Sequence, residues 1–146
     1  MAFSFVRRVL IATYTKFNCF VEDLAEAKHN LGSDQLVVAL TNTPPSASNT
    51  VIGNISEISN YANCSSRNIT TTSSAQTSGT YKLVLTDLVL TATGAVGPFR
   101  YVVIYNDTSA TDALIAYYDY GSSISLAAGE TFTIDFDGTN GFLQLA

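Results

Sequence analysis

A chain of 146 residues with one histidine, two cysteines and no tryptophan is one domain's worth of material, long enough to bury about two-thirds of its unfolded surface without staples. Only 13% of its residues are charged and the net charge is −5, the opposite sign to a phosphate-binding surface, which argues against nucleic acid as a partner. No stretch approaches the roughly 20 apolar residues that span a bilayer, so no membrane is expected either.

The chain opens with Phe3, Phe5, Val6, Val9, Leu10 and Ile11 around Arg7 and Arg8, and with no acid before Glu22. The apolar run after Arg8 is short and lacks a small-residue cleavage site, so it does not read as a secretory signal, and the protein is expected to be made in a cytoplasm. Residues 1–15 read as an N-terminal arm that orders on docking to a neighbour, or as a first strand, since Phe3, Phe5 and Val9 partly alternate. From Lys16 to about Asn30, Phe17, Phe20, Val21, Leu24 and Ala25 draw one apolar stripe at helical spacing. That predicts a helix over 16–30, with Thr15 as N-cap, Lys28 and His29 in its last turn and Gly32 as terminator.

Gln35–Leu40 reads as a strand stopped by Pro44 and Pro45. Val51, Ile52, Ile55 and Ile58 fit either a helical turn or an irregular strand. From Tyr61 to Thr80 hydroxyls and amides dominate, giving an exposed loop or a Thr-rich edge strand with which another subunit could pair. Period-two alternation then marks strands at Tyr81–Leu85, Phe99–Tyr105, Leu114–Tyr120 and Thr131–Phe136, with turns at 93–98, 106–112, 121–123, 127–130 and 137–141. The expected fold is mainly β: an antiparallel β-sandwich of about seven strands, Ig-like or jelly-roll-like, with one N-terminal helix packed on it, and residues 16–146 forming a single domain.

No reaction centre emerges. His29 stands alone, which leaves Ser-His-Asp or Cys-His chemistry without a partner set, and its place near a helix end already explains it. Cys19 and Cys64 lack the spacing of a zinc site and read as free thiols. The sequons at Asn54, Asn63, Asn68 and Asn106 carry no weight without a secretory signal. Asp135-Phe-Asp-Gly-Thr-Asn-Gly has oxygen ligands at alternate positions, yet no downstream Glu, and reads as a turn. Asp107, Asp112 and Asp119 lie at or beside turns, and Asp119 is a possible partner for Arg100. Alternation places Tyr101 and Tyr105 with Phe99 and Val103, and Tyr118 and Tyr120 with Leu114 and Ala116, as interior walls. Tyr117, with Ile115 and Asp119, is left as the surface candidate. No cofactor, metal or catalytic residue is expected, and the protein does not read as an enzyme.

Gly97-Pro-Phe-Arg-Tyr-Val-Val-Ile-Tyr-Asn-Asp-Thr, then Asp112-Ala-Leu-Ile-Ala-Tyr-Tyr-Asp-Tyr-Gly and Ala128-Gly-Glu-Thr-Phe-Thr-Ile-Asp-Phe, resemble a family of small virion structural proteins of tailed bacteriophages. The likeness extends to the strand Gln35–Leu40, its Thr/Asn/Pro turn and the terminal Gly141-Phe-Leu-Gln-Leu. It implies a homo-oligomeric capsid decoration or cement protein in the virion, with the major capsid protein or other virion proteins as partners. The alternatives are a tail, baseplate or fibre component, or a carbohydrate-binding sandwich module. The residues expected to meet a partner are Phe3, Phe5, Arg7, Arg8, Val9, Leu10 and Tyr117.

Overall fold

The computed structural model describes residues 12–146. They form β1 (Thr13–Lys16), α1 (Cys19–Ala25), β2 (Leu36–Thr41), β3 (Asn68–Ile69), β4 (Thr71–Thr77), β5 (Thr80–Leu85), β6 (Leu88–Thr91), β7 (Val96–Asn106), β8 (Ala113–Leu126), β9 (Thr131–Ile134) and β10 (Leu143–Leu145). A five-stranded sheet in the order β1-β8-β7-β2-β3 makes one layer. Opposite it lie a three-stranded sheet, β10-β5-β4, and a two-stranded ribbon, β6-β9. All pairings are antiparallel. Val38, Leu40, Val102 and Ile104 of the large sheet share one core with Leu83, Leu85, Leu90, Ile134, Phe136 and Phe142 of the second layer. The expected sandwich with one helix is therefore the fold.

The large sheet is also covered on its other face, where Phe17, Val37, Ala39, Ile55, Val103, Tyr105 and Leu114 form a second cluster. Two-sided cover explains why β2 is an unbroken apolar run rather than an alternating one, and why all six of its residues are buried. Beyond its short pairing with β3, the edge of β2 is finished by side chains and irregular backbone. Leu40 N–H donates to the Tyr61 hydroxyl at 2.7 Å, and Ile58 N–H donates to Leu40 O at 2.9 Å. The Arg67 guanidinium lies 3.8 Å over the Tyr61 ring and also donates to Val38 O. The segment around Val51–Ile58 forms a 3-10 turn at Ile52–Asn54 followed by extended backbone.

The helix is half its expected length. Lys16 is still in β1, and helix begins at Cys19 after Asn18, so Thr15 is not the cap. Its end is set at Ala27, not Gly32. Ala27 has φ +61°, with Ala27 N–H bonded to Leu24 O and Lys28 N–H to Asp23 O at 2.8 Å, the paired closure that usually takes glycine. The apolar stripe ends at Ala25, and the expected extension rests on Lys28, His29 and Gly32 as terminal signals; the left-handed Ala27 stops the helix before it reaches them. Val21, assigned to the apolar stripe, is 53% exposed. Of the segment read as an arm, Thr13, Tyr14 and Thr15 pair with Asp119, Tyr118 and Tyr117 of β8. Residues 1–11 lie outside the described residues.

Two strand irregularities reassign faces. Register shifts between Phe99 and Tyr101 and between Ile104 and Tyr105 break strict alternation, because an extra residue turns the remainder of the strand to the other side. Phe99 therefore joins the inter-sheet core while Tyr105 and Val103 join the outer cluster. Likewise Leu114 packs with Tyr117, while Ile115 packs with Ala116, Tyr118 and Tyr120. The turn expected at 121–123 is instead the middle of β8, which runs through Gly121 at φ +80° with its N–H on Asp119 Oδ1 at 2.7 Å.

Candidate functional site

Of the residues expected to meet a partner, Phe3, Phe5, Arg7, Arg8, Val9 and Leu10 lie outside the described residues. Tyr117 is half-buried on the outer face of the large sheet, with ring centroids 5.1 Å from Phe17 and 6.4 Å from Tyr101. Much of its ring is thus engaged within the fold. Beside it Arg100 and Asp119 make a two-pronged pair, Nε to Oδ1 at 2.7 Å and Nη2 to Oδ2 at 3.0 Å. The Arg100 hydrogen bond holds the Asp119 carboxyl below the usual carboxylate range.

His29 is buried in a polar node that joins the helix end to the β7–β8 turn. Asn106, fully buried, orients it: Asn106 Oδ1 accepts the N–H groups of Thr108 at 2.9 Å and Ser109 at 3.1 Å, so its amide nitrogen faces the other way. That nitrogen donates to Asp34 Oδ2 at 2.6 Å and lies 3.0 Å from His29 Nδ1. Nδ1 must then accept, which makes His29 a neutral imidazole with its proton on Nε2. Nε2 is buried with no partner among the described residues. Burial lowers the pKa of His29, with Lys28 acting in the same direction and Asp23 and Asp34 opposing it.

Because the folded pKa is depressed, the unfolded chain binds the proton more readily. The contribution of His29 to stability is complete above about pH 6.5, the ordinary histidine value, and is lost as pH falls through the lower folded pKa. Urea unfolding between pH 7.5 and pH 5 should show stability declining with acid, and His29→Gln should flatten that decline. An equally steep decline in the variant would remove His29 as its source.

The remaining sequence candidates are engaged in structure. The Cys19 thiol approaches the carbonyls of Asn49, Thr50 and Leu114 at 3.7 Å, and burial pushes its pKa up to about 11. Burial likewise raises that of Cys64; both thiols are free. Neither has the depressed pKa of a nucleophile. Asp137 accepts the N–H of Asn140 at 2.7 Å, the Asn140 amide at 2.8 Å and the N–H of Thr139 at 2.9 Å. These bonds, the Asn140 N–H foremost, hold its carboxyl below the usual range and close the loop as a turn. Among the described residues, no three His, Cys, Asp or Glu side chains converge as a metal set.

What the described residues leave open is strand edge. β4 ends the three-stranded sheet, and six of its seven residues are exposed. It is joined to β5 by the two-residue turn Ser78-Gly79, both at positive φ as a tight hairpin requires. Thr71-Thr-Ser-Ser-Ala-Gln-Thr carries no charge and no proline, the devices that usually protect an edge. At the other end of the same sheet, β10 faces β1 across a cleft of about 350 Å³ lined by Tyr14, Phe20, Val21, Phe142, Leu143 and Leu145, among others. Gly141 forms part of this cleft at φ +87°, where a Cβ would stand 2.9 Å from Leu83 O, so only glycine admits the chain into β10. Sequence reasoning missed Tyr14 and Leu145 because their exposure follows from strand order rather than local pattern, and it assigned the exposed Val21 of α1 to the buried stripe. Comparison with family models, with curated proteins and with solved structures finds no match to this chain.

Proposed function

We propose that this chain is a bacteriophage virion structural protein, a capsid decoration or cement subunit that binds the major capsid protein lattice by fit, without making or breaking a bond. The observation that carries this reading is the exposed, uncharged edge of β4. An edge of this kind offers a row of backbone donors and acceptors to a neighbouring chain and holds no charge that would repel one. A lattice multiplies such individually weak contacts through avidity. The resemblance of the β7 and β8 sequences to small tailed-phage virion proteins supports the same reading, as does the engagement of His29, Cys19 and Asp137 in internal contacts.

The test is quantitation of the protein in purified virions, paired with an Ala75→Glu variant. Ala75 lies opposite Lys82, so the new carboxylate has a cross-strand partner in the fold while charging the edge. The protein is expected at a copy number comparable to the coat subunit, and the variant is expected to fold and to load poorly. A few copies per particle would move the assignment to the tail, baseplate or fibre, and absence from particles would overturn it.

A further inference from the structure

We propose that the cleft between β1 and β10 receives residues 2–11 of a second copy of this chain as an added, extended strand. The inference concerns the isolated protein and stands apart from the phage assignment. Among the described residues both walls are sheet edges, β1 ending the five-stranded sheet and β10 the three-stranded one. The surface between them is mostly apolar, with Lys16, Asn140 and Gln144 also lining it. Of the four large hydrophobic side chains that stand exposed among the described residues, Tyr14, Val21 and Leu145 line this cleft, and only Val89 lies elsewhere. Exposed apolar side chains gathered beside unpaired backbone suit a strand, which supplies hydrogen bonds to the edge and alternate side chains to the cleft.

The occupant is argued from the chain that leads into β1. Residues 2–11 place Phe3, Phe5, Val9 and Ile11 on one side of a strand, interrupted by Arg7. Extended, ten residues reach roughly 33–36 Å, well beyond the four-residue length of β1. Arg7 and Arg8 are the only charged residues before Lys16, and among the described residues Lys16 is the charged side chain lining the cleft, so the match rests on apolar contact and backbone pairing rather than on charge.

A chain filling its own cleft would have to reverse direction just before β1. Val9-Leu10-Ile11-Ala12-Thr13 contains no Gly, Pro, Asn or Asp, and its β-branched residues resist the positive φ of a tight hairpin turn. An extended continuation carries the segment away from its own β1 and toward a neighbour. The same cleft on that neighbour completes the exchange.

Light scattering on the full chain should give a mass above that of the monomer that falls on dilution, and a variant lacking residues 2–11 should give a folded monomer by circular dichroism. Val21→Asp alters a side chain already exposed, so it should keep the fold and dissociate the oligomer. Mixing Phe5→Cys with Leu145→Cys under mild oxidation should yield a disulfide-linked heterodimer that neither variant forms alone. A monomeric full chain, an oligomer indifferent to Val21→Asp, or a Phe5→Cys/Leu145→Cys double variant that links only within one chain in excess unmodified protein would each overturn the exchange. None of these results depends on whether the protein occurs in virions.

Discussion

Phe99→Ala is expected to lower the free energy of unfolding by roughly 3–5 kcal/mol, the usual cost of truncating a buried phenylalanine. Phe99 is fully buried, and its ring meets Phe132 edge-on at 5.1 Å. That contact joins β7 of the large sheet to β9 of the ribbon opposite. The β6–β9 ribbon has no backbone ladder to either neighbouring sheet, so side-chain packing holds much of it in place, and two strands alone are marginal in water. The loss should be measurable as a lower urea midpoint and a melting temperature depressed by about 10 °C. Hydrogen exchange should place the first damage at Leu88–Thr91 and Thr131–Ile134. Phe99→Leu, which keeps most of the volume, should cost less than half as much. Equal losses in the two variants would show that the edge-on ring contact with Phe132, rather than the volume Phe99 fills, secures the ribbon.

Asn106→Ala is expected to cost about 3 kcal/mol although it removes few atoms, because it leaves the buried His29 and several part-buried polar groups short of partners. The substitution strands the N–H groups of Thr108 and Ser109, takes a donor from Asp34 and leaves His29 Nδ1 facing nothing. Asn106→Asp should be at least as damaging, since it sets a carboxylate against Asp34. A further signature separates this node from ordinary packing. Without the Asn106 amide, Nδ1 is free to take a proton, so the pH dependence assigned to His29 should weaken in Asn106→Ala. Unfolding curves at pH 7.5 and pH 5 read both effects, and a variant as stable as the parent would show that Asn106 does not organise the node.

Much of the architecture was legible because it is written in short-range pattern. Tyr81–Leu85, Phe99–Tyr105 and Thr131–Phe136 alternate in period two and lie largely within β5, β7 and β9. The helix was legible in kind but not in extent, since its end depends on Ala27 taking a left-handed conformation that alanine does not advertise. The pairing of Arg100 with Asp119 was legible, because neighbouring strands bring such residues together. Alternation kept Tyr105 with Val103, but the faces of Leu114 and Phe99 were not legible. Each lies beside a bulge, and one inserted residue reverses the side on which everything beyond it falls.

Composition and alternation by themselves determined that this chain is a mainly β sandwich with one helix, because burying one face of a strand imposes a period on its residues. Which strands became edges was decided only in three dimensions. Nothing local in Thr71–Thr77 or Leu143–Leu145 says that, among the described residues, no strand lies beyond them, and nothing in Asn106 says that it meets His29 from 77 residues away. Those placements arise from pairing between distant segments, where each strand's neighbour is set by the packing of the whole. The open edges on which the proposed interactions rest are therefore a property of the assembled fold.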